Sequence, residues 1–153
     1  MLSEGDLAPD FRLHIEDGTE LVLSDLKGMP VIVYFYPKDD TSGCTREAID
    51  FTQMLPDFNK FKARIIGISP DSVQKHVKFI DKHKLGVTLA ADEDKVVAEK
   101  YGVWAEKKMY GRTYMGIVRT TFLIDNTGHI AKIWNKVRVK DHASAVLDAT
   151  GEL

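Results

Sequence analysis

The sequence of 153 residues contains a single cysteine, Cys44. One thiol cannot form an intrachain disulfide, which excludes a small secreted fold held together by disulfide bonds. Internal repeats and low-complexity tracts are also missing. A composition of 44% hydrophobic and 29% charged residues is typical of a globular protein and argues against intrinsic disorder. The length favours one domain, and we expect residues 1–153 to form it.

The sequence also lacks a large excess of charge of one sign and long apolar runs. Lys and Arg total 21 against 23 Asp and Glu, which predicts neither a nucleic-acid-binding surface nor a polybasic membrane patch. The longest strongly apolar run, residues 31–36, is far too short to span a bilayer. The acidic N-terminus lacks the basic and apolar segments of a signal peptide. We therefore expect a cytoplasmic protein that binds neither nucleic acid nor membranes.

The histidines show no metal-binding pattern, since none of the five has HxxxH or HExxH spacing. Together with one thiol, they give little support for a zinc site. We expect His129, in a predicted turn, and His142, near the start of the last predicted helix, to be surface residues. None of the histidines is expected to act as a base for Cys44.

Hydrophobic periodicity predicts a mixed α/β fold that begins with a β-hairpin. Apolar residues alternate over 11–15, an Asp17-Gly18 turn follows, and a second apolar stretch covers 21–23. Later strands and helices alternate along the chain. This order indicates a mixed central sheet with helices on both faces.

A βαβ unit forms the predicted centre of the sheet. Residues 31–36 and 64–69 are apolar on both faces, as expected of fully buried strands, and a helical pattern begins near Cys44 between them. The two strands should be parallel. Pro56 lies within the helical pattern and predicts a kink or a restart there.

Two further predictions concern which residues of the remaining chain are buried and which lie at the surface. The helix after Ser72 has an apolar stripe at Val73, Val77 and Ile80, which predicts the face turned toward the core. Residues 105–118 are rich in Lys, Tyr and Gly, and we expect them to form a surface excursion.

Cys44 lies where an α/β protein is expected to carry out chemistry. It follows a central strand and a loop, and ligands bind in the crevice at the carboxyl ends of such strands. The start of a helix also offers unpaired N–H groups and a partial positive charge, which favour a thiolate. A lone cysteine is usually a small buried hydrophobic residue. Placement alone leaves both possibilities open.

The sequence around Cys44 resembles the active site of the peroxiredoxins. Their pattern P-x-x-x-T-x-x-C is matched by Pro37, Thr41 and Cys44. Further similarity extends over nearly the whole chain, at residues 5–11, 67–72 and 106–125. The segment 108–119 resembles the subgroup called bacterioferritin comigratory protein, or peroxiredoxin Q.

The resemblance implies a thioredoxin-like three-layer fold and a thioredoxin-dependent type of thiol peroxidase that reduces hydrogen peroxide and alkyl hydroperoxides. It implies that Cys44 attacks the peroxide and becomes a sulfenic acid. It implies that Thr41 and Arg119 donate hydrogen bonds that stabilise the leaving oxygen. It also implies that Pro37 shields the thiolate from water. Glu47 matches a glutamate that helps to hold the arginine. No metal, haem or flavin cofactor is implied.

The sequence departs from the family pattern at the second cysteine. Many relatives carry a resolving cysteine five residues after the first or in the next helix, where this chain has Ile49 and Ile80. The sulfenic acid therefore cannot close into an intramolecular disulfide, and the chain resembles a one-cysteine variant. Thioredoxin, or glutaredoxin with glutathione, is then expected as the reductant. We expect a monomer, with a transient Cys44-linked dimer as a third route.

A smaller departure is Ser42, at a position where the family usually has proline. Serine can precede a helix, so we expect the loop to keep its shape with less rigidity.

Two other functions remain open at this point. The first is thiol–disulfide exchange on the same fold, and the absence of a C-x-x-C pair argues against it. The second is a non-catalytic binding or holdase module. The combination of Pro37, Thr41, Cys44 and Arg119 argues against this module, because binding alone would not require it.

Overall fold

The computed structural model describes residues 2–153. Its strands are β1 (Arg12–Ile15), β2 (Glu20–Val22), β3 (Val31–Phe35), β4 (Arg64–Ser69), β5 (Thr88–Ala91), β6 (Trp104–Met109), β7 (Arg112–Ile117), β8 (Thr120–Ile124) and β9 (Ile130–Trp134). Its helices are α1 (Ser42–Gln53), α2 (Leu55–Lys60), α3 (Val73–His83), α4 (Val96–Lys100) and α5 (His142–Gly151), with a short 3₁₀ helix at Leu23–Leu26. Within the described range, no helix is long and apolar enough to cross a membrane.

Seven strands form one mixed sheet in the order β2-β1-β5-β4-β3-β8-β9. The three central strands β3, β4 and β5 run parallel, and their neighbours pair antiparallel. β1 and β2 form the N-terminal hairpin. The predicted hairpin, the parallel βαβ unit and the mixed sheet are therefore confirmed.

All five residues of β3 are buried because both faces of the sheet are covered. Val33 and Phe35 pack on one side with the N-terminal hairpin and α4. Ile32 and Tyr34 pack on the other side with residues of α1, α2, α3 and α5. Helices thus lie on both faces, which is the predicted three-layer arrangement.

The break in the helix that follows Cys44 also agrees with the sequence. α1 ends at Gln53, and α2 begins at Leu55 with Pro56 in its first turn. Proline is tolerated there because the first amides of a helix have no partner within it. The result is a helix that restarts rather than one that bends.

The predicted core-facing stripe of α3 is wrong in one respect. Val77 is 39% exposed, whereas His76 and Phe79 are buried. His76 can enter the core because both of its ring nitrogens are hydrogen-bonded there. Val73 and Ile80 lie at the edge of the buried face, half covered.

The segment 105–118 lies at the surface as expected, but it is regular. β6 and β7 pair as a two-stranded hairpin separate from the main sheet, with a turn at Tyr110 and Gly111. Most of its residues are exposed, and Ile117 at its end is buried. The chain then passes through Arg119 into β8, which brings this arginine to the centre of the fold.

Candidate active site

Cys44 occupies the first turn of α1 and is 1% exposed. The first hydrogen bond of that helix runs from the Thr45 amide to the Thr41 carbonyl, at 2.8 Å. The Cys44 amide precedes it and has no acceptor within the helix. The thiol therefore lies beside an N–H group that remains available to a ligand and at the positive end of the helix dipole.

Arg119 points its guanidinium at the cysteine. Its Nη2 donates to Cys44 Sγ at 3.2 Å, and its Nη1 donates to Glu47 Oε1 at 2.7 Å. Gly43 leaves room for this approach, since a Cβ there would lie 3.3 Å from Nη2, a tight contact. The structure thus brings Cys44, Arg119 and Glu47 into direct contact.

The electrostatics of this cluster are dominated by burial and by one cation shared between two acidic groups. Burial opposes the charge of Arg119, but attraction by Glu47 and Cys44 outweighs it and raises the pKa of Arg119. Burial also raises the pKa of Glu47 to about 7, against the attraction of Arg119. Glu47 therefore changes its charge near neutral pH. When Glu47 is neutral, Cys44 is the acidic group of this cluster that interacts with the positive charge of Arg119.

Thr41 and Pro37 lie on the loop between β3 and α1 and make no polar contact with Cys44 among the described residues. Thr41 is the exposed N-cap residue of α1, and its hydroxyl donates to the Lys38 carbonyl at 2.9 Å. A carbonyl oxygen only accepts, so the hydroxyl proton is committed to Lys38, which differs from the donor role that the resemblance implies for Thr41. Pro37 is half-buried directly after β3.

The expectation that His142 is a surface residue is wrong. His142 is 6% exposed, and its ring packs edge-on against Phe51 and Trp134. The missed signal was periodicity, because His142 lies four residues before the apolar Val146 and so shares its helical face. His129, by contrast, is exposed as predicted.

His142 completes the buried polar group behind Arg119. Its Nε2 lies 2.8 Å from Thr121 Oγ1 and 4.0 Å from Glu47 Oε2, an oxygen that has no hydrogen-bond partner among the described residues. Burial, with a smaller contribution from Arg119, lowers the pKa of His142 to about 4. The ring is therefore neutral at neutral pH and adds no second cation to the site.

Ile49 and Ile80, at the positions where many relatives carry the second cysteine, are half-buried and pack against the core beneath α1 and α3. Cys44 is a free, buried thiol. The site therefore has one nucleophilic sulfur and no intramolecular partner for it.

Comparison with known proteins decides the family. The AhpC/TSA family model matches residues 5–133. The chain belongs to the AhpC/TSA family. Peroxiredoxin Bcp of Bacillus subtilis is 47% identical over 149 residues, which are 97% of this chain and 95% of that protein.

Solved structures agree with this assignment. The bacterioferritin comigratory protein of Xanthomonas campestris, studied for its alkyl peroxide reduction activity, is 40% identical, with a TM-score of 0.89 over 93% of this chain and 90% of that chain. A variant of PrxQ from Xylella fastidiosa is 34% identical, with a TM-score of 0.93 over 99% of this chain and 97% of that chain. The thioredoxin-like fold and the resemblance to the bacterioferritin comigratory subgroup are confirmed. This peroxiredoxin is a thiol peroxidase, and the relatives favour neither a holdase nor an exchange protein.

The raised pKa of Glu47 predicts a pH-dependent difference between the wild-type protein and Glu47→Gln. The folded state keeps a proton up to pH about 7 that the unfolded state loses near 4.5. The contribution of Glu47 to stability is thus full below pH 4.5 and lost as the pH rises to 7. From pH 4.5 to 7, the free energy of unfolding of Glu47→Gln should therefore rise by about 3 kcal/mol relative to that of the wild type.

Chemical denaturation of both proteins at several pH values measures this difference. Titration of His142 has the opposite slope but occurs in both proteins, so it largely cancels in the comparison. A difference that stays constant from pH 4.5 to 7 would show that Glu47 is ionised throughout.

Proposed function

We propose that this peroxiredoxin reduces hydrogen peroxide and alkyl hydroperoxides with Cys44 as the nucleophile, Arg119 and Thr41 as the peroxide-binding groups and an external thiol as the reductant. The observation that carries the proposal is the 3.2 Å contact between Arg119 Nη2 and Cys44 Sγ at the start of α1. The activity of the Xanthomonas campestris protein supports alkyl hydroperoxides as substrates.

In the first half of the cycle, the Cys44 thiolate attacks the terminal oxygen of the peroxide. A sulfur lone pair forms the S–O bond, the O–O bond breaks, and its electron pair leaves with the departing oxygen. That oxygen takes a proton from water and becomes an alcohol, or water when the substrate is hydrogen peroxide. The sulfur is oxidised to a sulfenic acid and the peroxide is reduced.

Negative charge grows on the departing oxygen, so fixed donors directed at it lower the barrier. Arg119 and the free amide of Cys44 supply two such donors, and Glu47 fixes the orientation of Arg119. We infer that Thr41 accepts a hydrogen bond from the peroxide O–H rather than donating one, because its own proton goes to the Lys38 carbonyl. Pro37 covers the site without adding an N–H group.

Activation of the peroxide must supply much of the rate. Stabilising a thiolate also weakens it as a nucleophile, with a Brønsted slope of about 0.4–0.5. A cation that only stabilised the sulfur would therefore gain little. We infer that Arg119 acts mainly on the peroxide oxygens as they approach Sγ.

The second half of the cycle needs thiols from outside the chain. One thiol attacks the sulfenic sulfur, releases water and forms a mixed disulfide, and a second thiol then releases Cys44. Thioredoxin acting directly, or glutathione with glutaredoxin, would supply these thiols. A Cys44–Cys44 dimer would be the third route for a protein that we propose to be a monomer of one domain. A reducing compartment such as the cytoplasm keeps such thiols reduced.

Peroxide-dependent NADPH consumption tests the proposal. The wild-type protein is assayed with thioredoxin and its reductase, and separately with glutathione, glutaredoxin and glutathione reductase. We expect sustained turnover with at least one system and none with Cys44→Ser. Equal rates for the wild type and Cys44→Ser in both systems would contradict the role of Cys44.

A further inference from the structure

A second buried polar cluster lies beside the active-site loop and takes no part in the chemistry described above. Its centre is His76 of α3, whose side chain is 0% exposed. His76 Nδ1 lies 2.7 Å from Asp39 Oδ2, and Nε2 lies 3.0 Å from the carbonyl oxygen of Ala90 in β5. A carbonyl oxygen only accepts, so Nε2 carries a proton. His76 therefore ties the loop after β3 to the middle of the sheet through bonds hidden from water.

Asp39 is the loop residue on which this cluster converges. It lies between Pro37 and Thr41, the two loop residues assigned to the active site. Its Oδ1 accepts from the Tyr36 hydroxyl at 2.6 Å, and its backbone N–H donates to Asp71 Oδ2 at 2.7 Å. Hydrogen bonds in a site shielded from water are stronger than their exposed counterparts. The loop is thus held at its midpoint by three short hydrogen bonds.

The next loop residue, Asp40, is held by the same helix but more weakly. It adopts a φ of +62°, which is unfavourable for a residue with a Cβ. Its carboxylate accepts from Lys82 at 2.7 Å and lies 2.8 Å from His83 Nε2, and Asp40 and Lys82 are largely exposed. Exposed ion pairs contribute little. The buried contact between Asp39 and His76 is therefore the main restraint that α3 places on the loop.

We propose that His76 is a positioning residue for peroxide reduction, acting through Asp39 to hold Pro37 and Thr41 in place. The inference rests on the function proposed above. A displacement of about 1 Å in a group that orients a substrate can cost roughly 10²-fold in rate. Cys44 itself is held by α1 and Arg119, neither of which contacts His76 through a hydrogen bond. Loss of His76 should therefore impair the orientation of the peroxide and spare the thiol.

This separation defines the experiment. His76→Leu and Asp39→Ala, which remove every hydrogen-bonding group of the side chain, should each slow oxidation of Cys44 by hydrogen peroxide about 10-fold or more, at a temperature where circular dichroism shows both variants folded. Alkylation of Cys44 by iodoacetamide needs the thiolate but no oriented peroxide, so its rate should change by less than about twofold. The double variant should be no slower than the slower single variant, because both changes remove the same bond. His83→Leu, in the same helix, is the matched control and should leave both rates unchanged.

Oxidation rates for His76→Leu and Asp39→Ala within about twofold of the wild type would overturn the proposal. An equal loss of oxidation and alkylation would also overturn it, since that pattern indicates a purely structural role. If His76→Leu does not fold, Asp39→Ala in the half-buried loop carries the same test. A wild-type protein that reacts no faster than free cysteine would instead contradict the proposed function, so the two failures are distinguishable.

Discussion

Replacement of Arg119 by methionine is expected to slow oxidation of Cys44 by hydrogen peroxide by a factor of about 10² to 10³. Methionine keeps an unbranched apolar stem but removes the donor that lies 3.2 Å from Sγ. It also leaves Glu47 without its cation, and the raised pKa of Glu47 lets this carboxyl take up a proton rather than remain as an unpaired buried charge. The variant should therefore still fold.

Arg46→Met is the matched control for this experiment. Arg46 lies on the same helix as Cys44, but its side chain is 67% exposed and pairs with Asp50. Rapid-mixing measurements on both variants should show the loss only for Arg119→Met. Equal oxidation rates for Arg119→Met and the wild type would remove Arg119 from the peroxide-binding groups.

Replacement of Thr41 by valine is expected to slow the same reaction by about 10- to 10²-fold. Valine keeps the shape of the side chain but removes the hydroxyl that donates to the Lys38 carbonyl and that we propose binds the peroxide. Thr41→Ser keeps the hydroxyl and should retain most of the rate. The comparison is made on the reduced protein with hydrogen peroxide in rapid mixing. A Thr41→Val protein as fast as Thr41→Ser would show that the hydroxyl has no part in the reaction.

Local sequence patterns were sufficient to predict the strand and the helix that carry the site. The run Val31–Phe35 is apolar on both faces, and the structure covers it on both faces. The helix that follows begins close to Cys44, so the position of the thiol at a helix start was predictable. The contact between Cys44 and Arg119 spans 75 residues of sequence, and only the family resemblance pointed to it before the structure.

Sequence alone does not establish that His76 and His142 are buried. Periodicity places His142 on the face of Val146, but the burial of either histidine depends on distant hydrogen-bond partners. His142 is satisfied by Thr121, and His76 is satisfied by Asp39 and the carbonyl of Ala90. A polar residue near a helix start resembles a surface residue until such partners are known. The assignment of Val77 to the core of α3 failed for the same reason, since His76 took the inward position.

The strands of the β6–β7 hairpin were not predicted, for a different reason. Its strands lie apart from the main sheet and are exposed along most of their length. Without a buried face there is no apolar alternation with a period of two residues to indicate strands. Only the turn at Gly111, with its φ of +74°, leaves a local signal.

Oxidation of the fully reduced protein by one equivalent of hydrogen peroxide is the most direct test of the central claim that Cys44 is a peroxidatic thiol. Rapid mixing followed by acid quenching gives the rate, and intact mass with peptide mapping gives the product. We predict a reaction orders of magnitude faster than that of free cysteine, with one oxygen atom added at Cys44. A rate no greater than that of free cysteine would contradict the account.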